Sequence, residues 1–152
     1  MLRPLLATLL LCVAVSAQVS HWSAHLDGDH MVPTVSSRNS AWGLVRFDAA
    51  NNQVQAFVAT PGPLANTATA VVLRQGTAGL AGPVVLALQS GGLQAWRGSG
   101  VLTPAQANAL SNGGLYLEVQ TATEPNGEVR GQVERPRTVR FTAVLTGQNV
   151  SP

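Results

Sequence analysis

Residues 115–133 read LYLEVQTATEPNGEVRGQV, two alternating runs around a turn. The first run sets Leu115, Leu117, Val119 and Thr121 on one face and Tyr116, Glu118 and Gln120 on the other. The second sets Val129, Gly131 and Val133 against Glu128, Arg130 and Gln132. Period-two alternation marks strands with one buried face. Between the runs, Glu124-Pro125-Asn126-Gly127 has turn chemistry: proline presets φ, asparagine suits the next position and glycine accepts a left-handed one. The pattern predicts a hairpin with a three-residue loop, Pro125–Gly127, and Gly127 in a bulge. Val119 is then expected opposite Val133, Thr123 opposite Val129, and Arg130 opposite Ala122 and diagonal to Glu124. Glu118, Glu124, Glu128 and Glu134 are read as the outer face of this hairpin.

The start of the chain sets the compartment. Met1-Leu2-Arg3-Pro4 is a short positive lead, Leu5 to Ser16 is apolar, and Val15-Ser16-Ala17 puts small residues at −3 and −1 of a cleavage point before Gln18. This reads as a signal peptide over 1–17, too short for a membrane span. It predicts a secreted or periplasmic protein with no membrane span in the mature chain. Cys12 follows the bulky Leu11 midway along the apolar run, which disfavours a lipoprotein box. Cleavage after Ala17 removes the only cysteine, so the mature chain has no disulfide to form. Its 135 residues (152 less 17) suffice for one domain with a core that needs no metal or disulfide. All nine basic residues are arginines, set against seven carboxylates and spread along the chain. No basic–aromatic interleaving points to nucleic acid.

Further strands are expected over Trp22–Leu26, Ala41–Asp48, Gln53–Thr60, Ala68–Arg74, Pro83–Gln89 and Leu93–Gly98, with loops over Met31–Ser40 and Gln75–Gly82. Thr103 as N-cap, Pro104 at the first helical position and Gly113 beyond the last turn predict a single helix, with Leu102, Ala107 and Leu110 toward the sheet. Short strands at short spacing predict an all-β antiparallel sandwich or barrel of Greek-key type with one short helix near 103–112. The domain is placed at 18–134, followed by a linker over 135–140. Phe141–Pro152 repeats the spacing of Trp22–Pro33: Ala24, Leu26, Gly28 and Pro33 match Ala143, Leu145, Gly147 and Pro152. It is read as the first strand of a second, truncated copy, or alternatively as a closing strand of this domain.

In order, Trp22-x-Ala24-x-Leu26-x-Gly28 with Val32-Pro33, the glycine-rich 76–85, Leu102-Thr103 with Leu110, 114–119, and Asn126-Gly127-Glu128-Val129-Arg130-Gly131-Gln132 resemble the CHRD domain, the module named after chordin. The resemblance spans about 22–133. It implies an antiparallel β-fold, tandem copies and extracellular placement, and no known catalytic activity. Many family members carry histidines two apart before the glycine-rich segment and another in the strand before the turn. Those places fall here on Val72, Arg74 and Gln120, which are poor ligands for a transition metal.

No constellation specifies a reaction. His21, His25 and His30 lie along one extended segment and do not converge; His25 is placed to pair with Asp27. No Gly-x-Ser-x-Gly elbow or environment-split carboxylate pair occurs. Neither a metal nor another cofactor is assigned. Binding candidates are Arg74 with Gly76 and Gly79, where a glycine-rich loop can cradle an anion or simply supply permissive turns, and Trp96 with Arg97 as an exposed aromatic pair. Trp22 and Trp42 are expected in the core. The chain is therefore read as a secreted, non-enzymatic β-module. It would be a structural, adhesive or ligand-binding unit of a multi-copy extracellular protein, contacting a protein or polysaccharide through Met31–Ser40 and Gln75–Gly82. The alternative is a copper- or zinc-binding or redox module.

Overall fold

The computed structural model describes residues 18–62, 64 and 67–136. The proposed signal peptide over 1–17, the end of the linker and the repeat over 141–152 lie outside them. Eight strands and one helix follow in chain order: β1 (Val19–Leu26), β2 (Ala41–Asp48), β3 (Gln53–Ala59), β4 (Ala68–Gln75), β5 (Val84–Ser90), β6 (Ala95–Val101), α1 (Pro104–Ser111), β7 (Leu115–Thr121) and β8 (Val129–Gln132). Their spatial order is β1-β2-β3-β6-β5-β4-β7-β8, all pairs antiparallel. Strands β4, β5 and β6 run consecutively back to β3, a Greek-key arrangement. The fold class expected from alternation is the one observed.

The two ends of this sheet meet. Ser23 and Glu134 exchange backbone N–H···O bonds of 2.9 Å, and Asp27 and Arg130 exchange bonds of 2.9 and 3.1 Å. A nearly closed barrel results, which removes exposed strand edges. Gly131 sits at this seam, where a Cβ would strike the His25 carbonyl. Here glycine is needed for close backbone approach.

Inward residues of every strand meet in one core: Trp22, Ala24 and Leu26 from β1, Val45 and Phe47 from β2, Val54 and Val58 from β3, and Leu117, Val119, Val129 and Val133 from the hairpin region. Trp22 packs edge-on to Phe47, with ring centroids 6.3 Å apart. The helix closes one end. Thr103 Oγ1 accepts from the Gln106 N–H at 3.3 Å and Gln106 Oε1 accepts from the Thr103 N–H at 2.8 Å, a reciprocal capping box. Leu102 and Leu110 are buried against the core, and Gly113 follows at φ +69°.

The hairpin differs from its predicted register. Val119 pairs with Val129 and Glu118 with Arg130, so Arg130 does not face Ala122. The turn is wider than three residues because the Glu124 carbonyl accepts from both Thr121 and Gly127, and the Glu128 N–H closes on the Val119 carbonyl at 2.8 Å. The slip is an even number of residues, so every side chain keeps its face. Two further expectations fail on burial. Trp42 is 59% exposed, because Gly43, Val45 and Phe47 take the inward parity of β2. Trp96 is only partly exposed and packs against the core, since it lies opposite the buried Val58. Strand β6 also starts later than expected and runs on to Val101, because Gly92, Leu93 and Gln94 take positive φ in the preceding turn.

Candidate functional site

Outward-facing residues of β7 and β8, and Arg74 on β4, are polar, yet the glycine-rich segment 76–83 lies over them. Arg74 donates from Nε to Glu118 Oε1 at 3.0 Å and from Nη1 to the Gly82 carbonyl at 3.0 Å. The Gly82 N–H donates to the Tyr116 hydroxyl at 3.0 Å. The Arg130 guanidinium stacks 3.5 Å above the Tyr116 ring centroid and donates to the Thr77 carbonyl at 2.9 Å. Gln132 Nε2 reaches the Gly76 carbonyl at 2.9 Å. Beside them, Glu128 accepts from Ser37 Oγ at 2.8 Å and from Asn39 Nδ2, which ties in the segment before β2. Glu118, Glu128 and Arg130 are consequently buried, at 5, 4 and 2% exposure. Of the four carboxylates read as the outer hairpin face, Glu134 is exposed and Glu124 half-buried. Burial pushes the Arg130 guanidinium below its ordinary value while Tyr116 and Glu118 act the other way; an arginine stays cationic under such shifts.

Val72, Arg74 and Gln120, the positions that the resemblance assigns to histidine, come together here. Val72 lies opposite Glu118 in the register, and Arg74 and Gln120 both donate to Glu118 Oε1, at 3.0 and 2.9 Å. The centre of that trio is an ion pair. Among the described residues, no group of three or more His, Cys, Asp or Glu is placed to hold a metal.

His25 of β1 and His30 of the following loop also take local partners. His25 stacks on Trp42, centroids 4.4 Å apart and planes 20° apart. Asp27 pairs with His30 rather than His25: its Oδ1 accepts from the His30 N–H at 3.1 Å and lies 2.5 Å from His30 Nδ1. The i, i+3 spacing of a tight turn brings those two together, whereas His25 is drawn to the indole. Burial pushes the Asp27 carboxyl up, but the His30 hydrogen bonds and the nearby His30 and His25 charges outweigh it and hold the group below its usual 3.8.

A second outer face has the opposite character. Leu44 on β2 lies beside Phe57 on β3, Phe57 beside Arg97 on β6, and Arg97 beside Gln89 on β5. One step along the pleat, His21, Arg46, Gln55 and Ser99 form a parallel row. Leu44 is 58% and Phe57 38% exposed. The two rows, with Ala87, line an open groove of about 740 Å³, within the range of about 300–1,000 Å³ for small-molecule sites.

The binding candidates from sequence do not form one site. Arg74 and Gly76 belong to the covered network. Gly79, at φ +81°, lines a small pocket of about 200 Å³ with Met31, Val32 and Arg130, where the loops 31–40 and 75–82 meet. Trp96 faces the core, and of the five only Arg97 lines the groove. Leu44, Arg46, Gln55 and Phe57 were not singled out as candidates. The available signal was parity: each stands on the face opposite the inward valines of its own strand.

The CHRD domain family model matches residues 22–133, from within β1 to the residue after β8. This chain belongs to the CHRD domain family. No curated protein and no solved structure matches it. The matched span covers most of the barrel, including the Asp27–Arg130 bridge of the seam. In CHRD terms, the Asn126–Gln132 run supplies the turn glycine, the buried Arg130 and the seam glycine Gly131. Membership supports an extracellular β-module. No helix among the described residues is long and apolar enough to cross a membrane.

Proposed function

We propose that this CHRD domain is a secreted, non-enzymatic ligand-binding module, one unit of a multi-copy extracellular protein, and that its working surface is the groove over β2, β3, β5 and β6. The observation that carries this reading is the uncovered apolar face: Leu44 and Phe57 stand in solvent while the polar face of β7 and β8 is sealed. Contiguous exposed apolar surface marks interaction sites in soluble proteins. The family is one of non-catalytic modules, which supports a binding role over a hydrolytic one. The repeat over 141–152 fits a tandem protein, and the β1–β8 bridges support that reading, because they already close the sheet ends that an added strand would need.

Titration of the mature protein with a small uncharged apolar probe, followed by backbone NMR shifts, tests the surface. Perturbations centred on Leu44, Phe57 and Ser99 are expected. Perturbations confined to 31–40 and 75–82 would move the site to the loops.

A further inference from the structure

We infer that the groove takes an amphipathic anion, a medium-chain carboxylate whose acyl chain lies along Leu44, Phe57 and Ala87 and whose carboxylate meets Arg46, with Arg97 adding positive charge beside the chain. This deepens the groove reading above and rests on it.

The argument starts from charge. Arg46 and Arg97 line the groove, and none of its lining residues is Asp or Glu. Among the described residues, neither groove guanidinium is ion-paired to a carboxylate. Arg46 Nη1 donates to the neutral Gln55 Oε1 at 3.5 Å. Cations beside an apolar floor with no internal counter-charge favour an anion. The polar row of Arg46, Gln55 and Ser99 runs about 6.7 Å, two residues along a strand, from the row of Leu44, Phe57 and Arg97, whose guanidinium lies against Gly91. A head group and its chain thus meet different rows of one sheet.

Other occupants fit less well. A second copy of this domain seated on the same face would bring arginines and no acid to meet them. A sugar polymer needs exposed ring faces, but the groove offers only Phe57 and a partly shielded indole: one face of the neighbouring Trp42 is already stacked on His25. Leucine and alanine suit an acyl chain.

The experiment is calorimetric titration of the mature chain through Pro152 with hexanoate, octanoate and the matched alcohol 1-octanol, all below their aggregation limits, on wild type and on Arg46→Gln, Arg97→Gln and the double variant. Both arginines are surface residues outside the core, and thermal melts check that the variants fold. Octanoate is expected to bind about tenfold more tightly than octanol. It should also exceed hexanoate by several-fold, up to about fourfold per buried methylene. The double variant should bind octanoate and octanol alike. Equal binding of octanoate and octanol to wild type overturns the anion inference and leaves the groove reading standing. So does a carboxylate preference that survives in the double variant. If neither ligand binds, both readings fail. A dimer in sedimentation that occludes the groove, binding of a polyuronate but not octanoate, or octanoate binding that appears only after removal of 137–152 would each assign the groove to another occupant and overturn the inference.

Discussion

Outward residues of β7 and β8 are Tyr116, Glu118, Arg130 and Gln132; those of β2 and β3 include Trp42, Leu44 and Phe57. The polar set is largely buried and the apolar set exposed, the reverse of what hydropathy alone assigns to the outside of a barrel. The difference lies in what crosses each face. Segment 76–83 spans β7 and β8, and its carbonyls and N–H groups give Arg74, Tyr116, Arg130 and Gln132 their partners. A loop backbone needs hydrogen-bonding partners wherever it is buried, so the face beneath it has to be polar. No described segment crosses β2 and β3, and their outer face needs no such partners.

The largest test of this contrast is Glu118→Ala. It strands Arg74 and leaves the buried Arg130 without the carboxylate opposite it, and is expected to cost about 3–5 kcal/mol in urea unfolding. A cost below about 1 kcal/mol would mean that the covered face is held by packing and not by its charges. Gly131→Ala comes next. The added methyl meets the His25 carbonyl across the seam, and a loss of about 1–3 kcal/mol is expected. Amide exchange of Ser23, Asp27, Arg130 and Glu134 should accelerate in that variant. Tyr116→Phe keeps the ring under Arg130 and removes only the acceptor for the Gly82 N–H, so about 1 kcal/mol is expected. Leu44→Ser on the open face should change stability by no more than about 0.5 kcal/mol. A loss comparable to a core substitution would show that this leucine is packed, and the two faces would no longer differ in kind.

Much of the barrel was legible in the chain. Alternation located β2 and β3 almost to the residue and assigned the inward set of β7, because the two-residue period of a strand fixes which side chains share a face. The Thr103-Pro104 start and the Gly113 stop located the helix, because capping is a local interaction. The hairpin register was misread for a related reason. Turn propensity named the residues of the bend, but Thr121 and Gly127 both close on the Glu124 carbonyl, and that choice among local hydrogen bonds sets the loop width. The candidate groove was the least visible element. Leu44 and Phe57 meet across the local β2–β3 hairpin, but Arg97 and Ala87 join them only because β6 and β5 pair onto β3 through a crossover.

The order of side chains along each strand thus determined parity, the helix and the class of fold, since these depend on neighbours two to four residues away. Which outward face is sealed and which stays open was decided by where distant segments came to lie. The partner of Arg74, the shelter over Arg130 and the exposure of Trp42 are properties of chain crossings, and only the assembled barrel contains them.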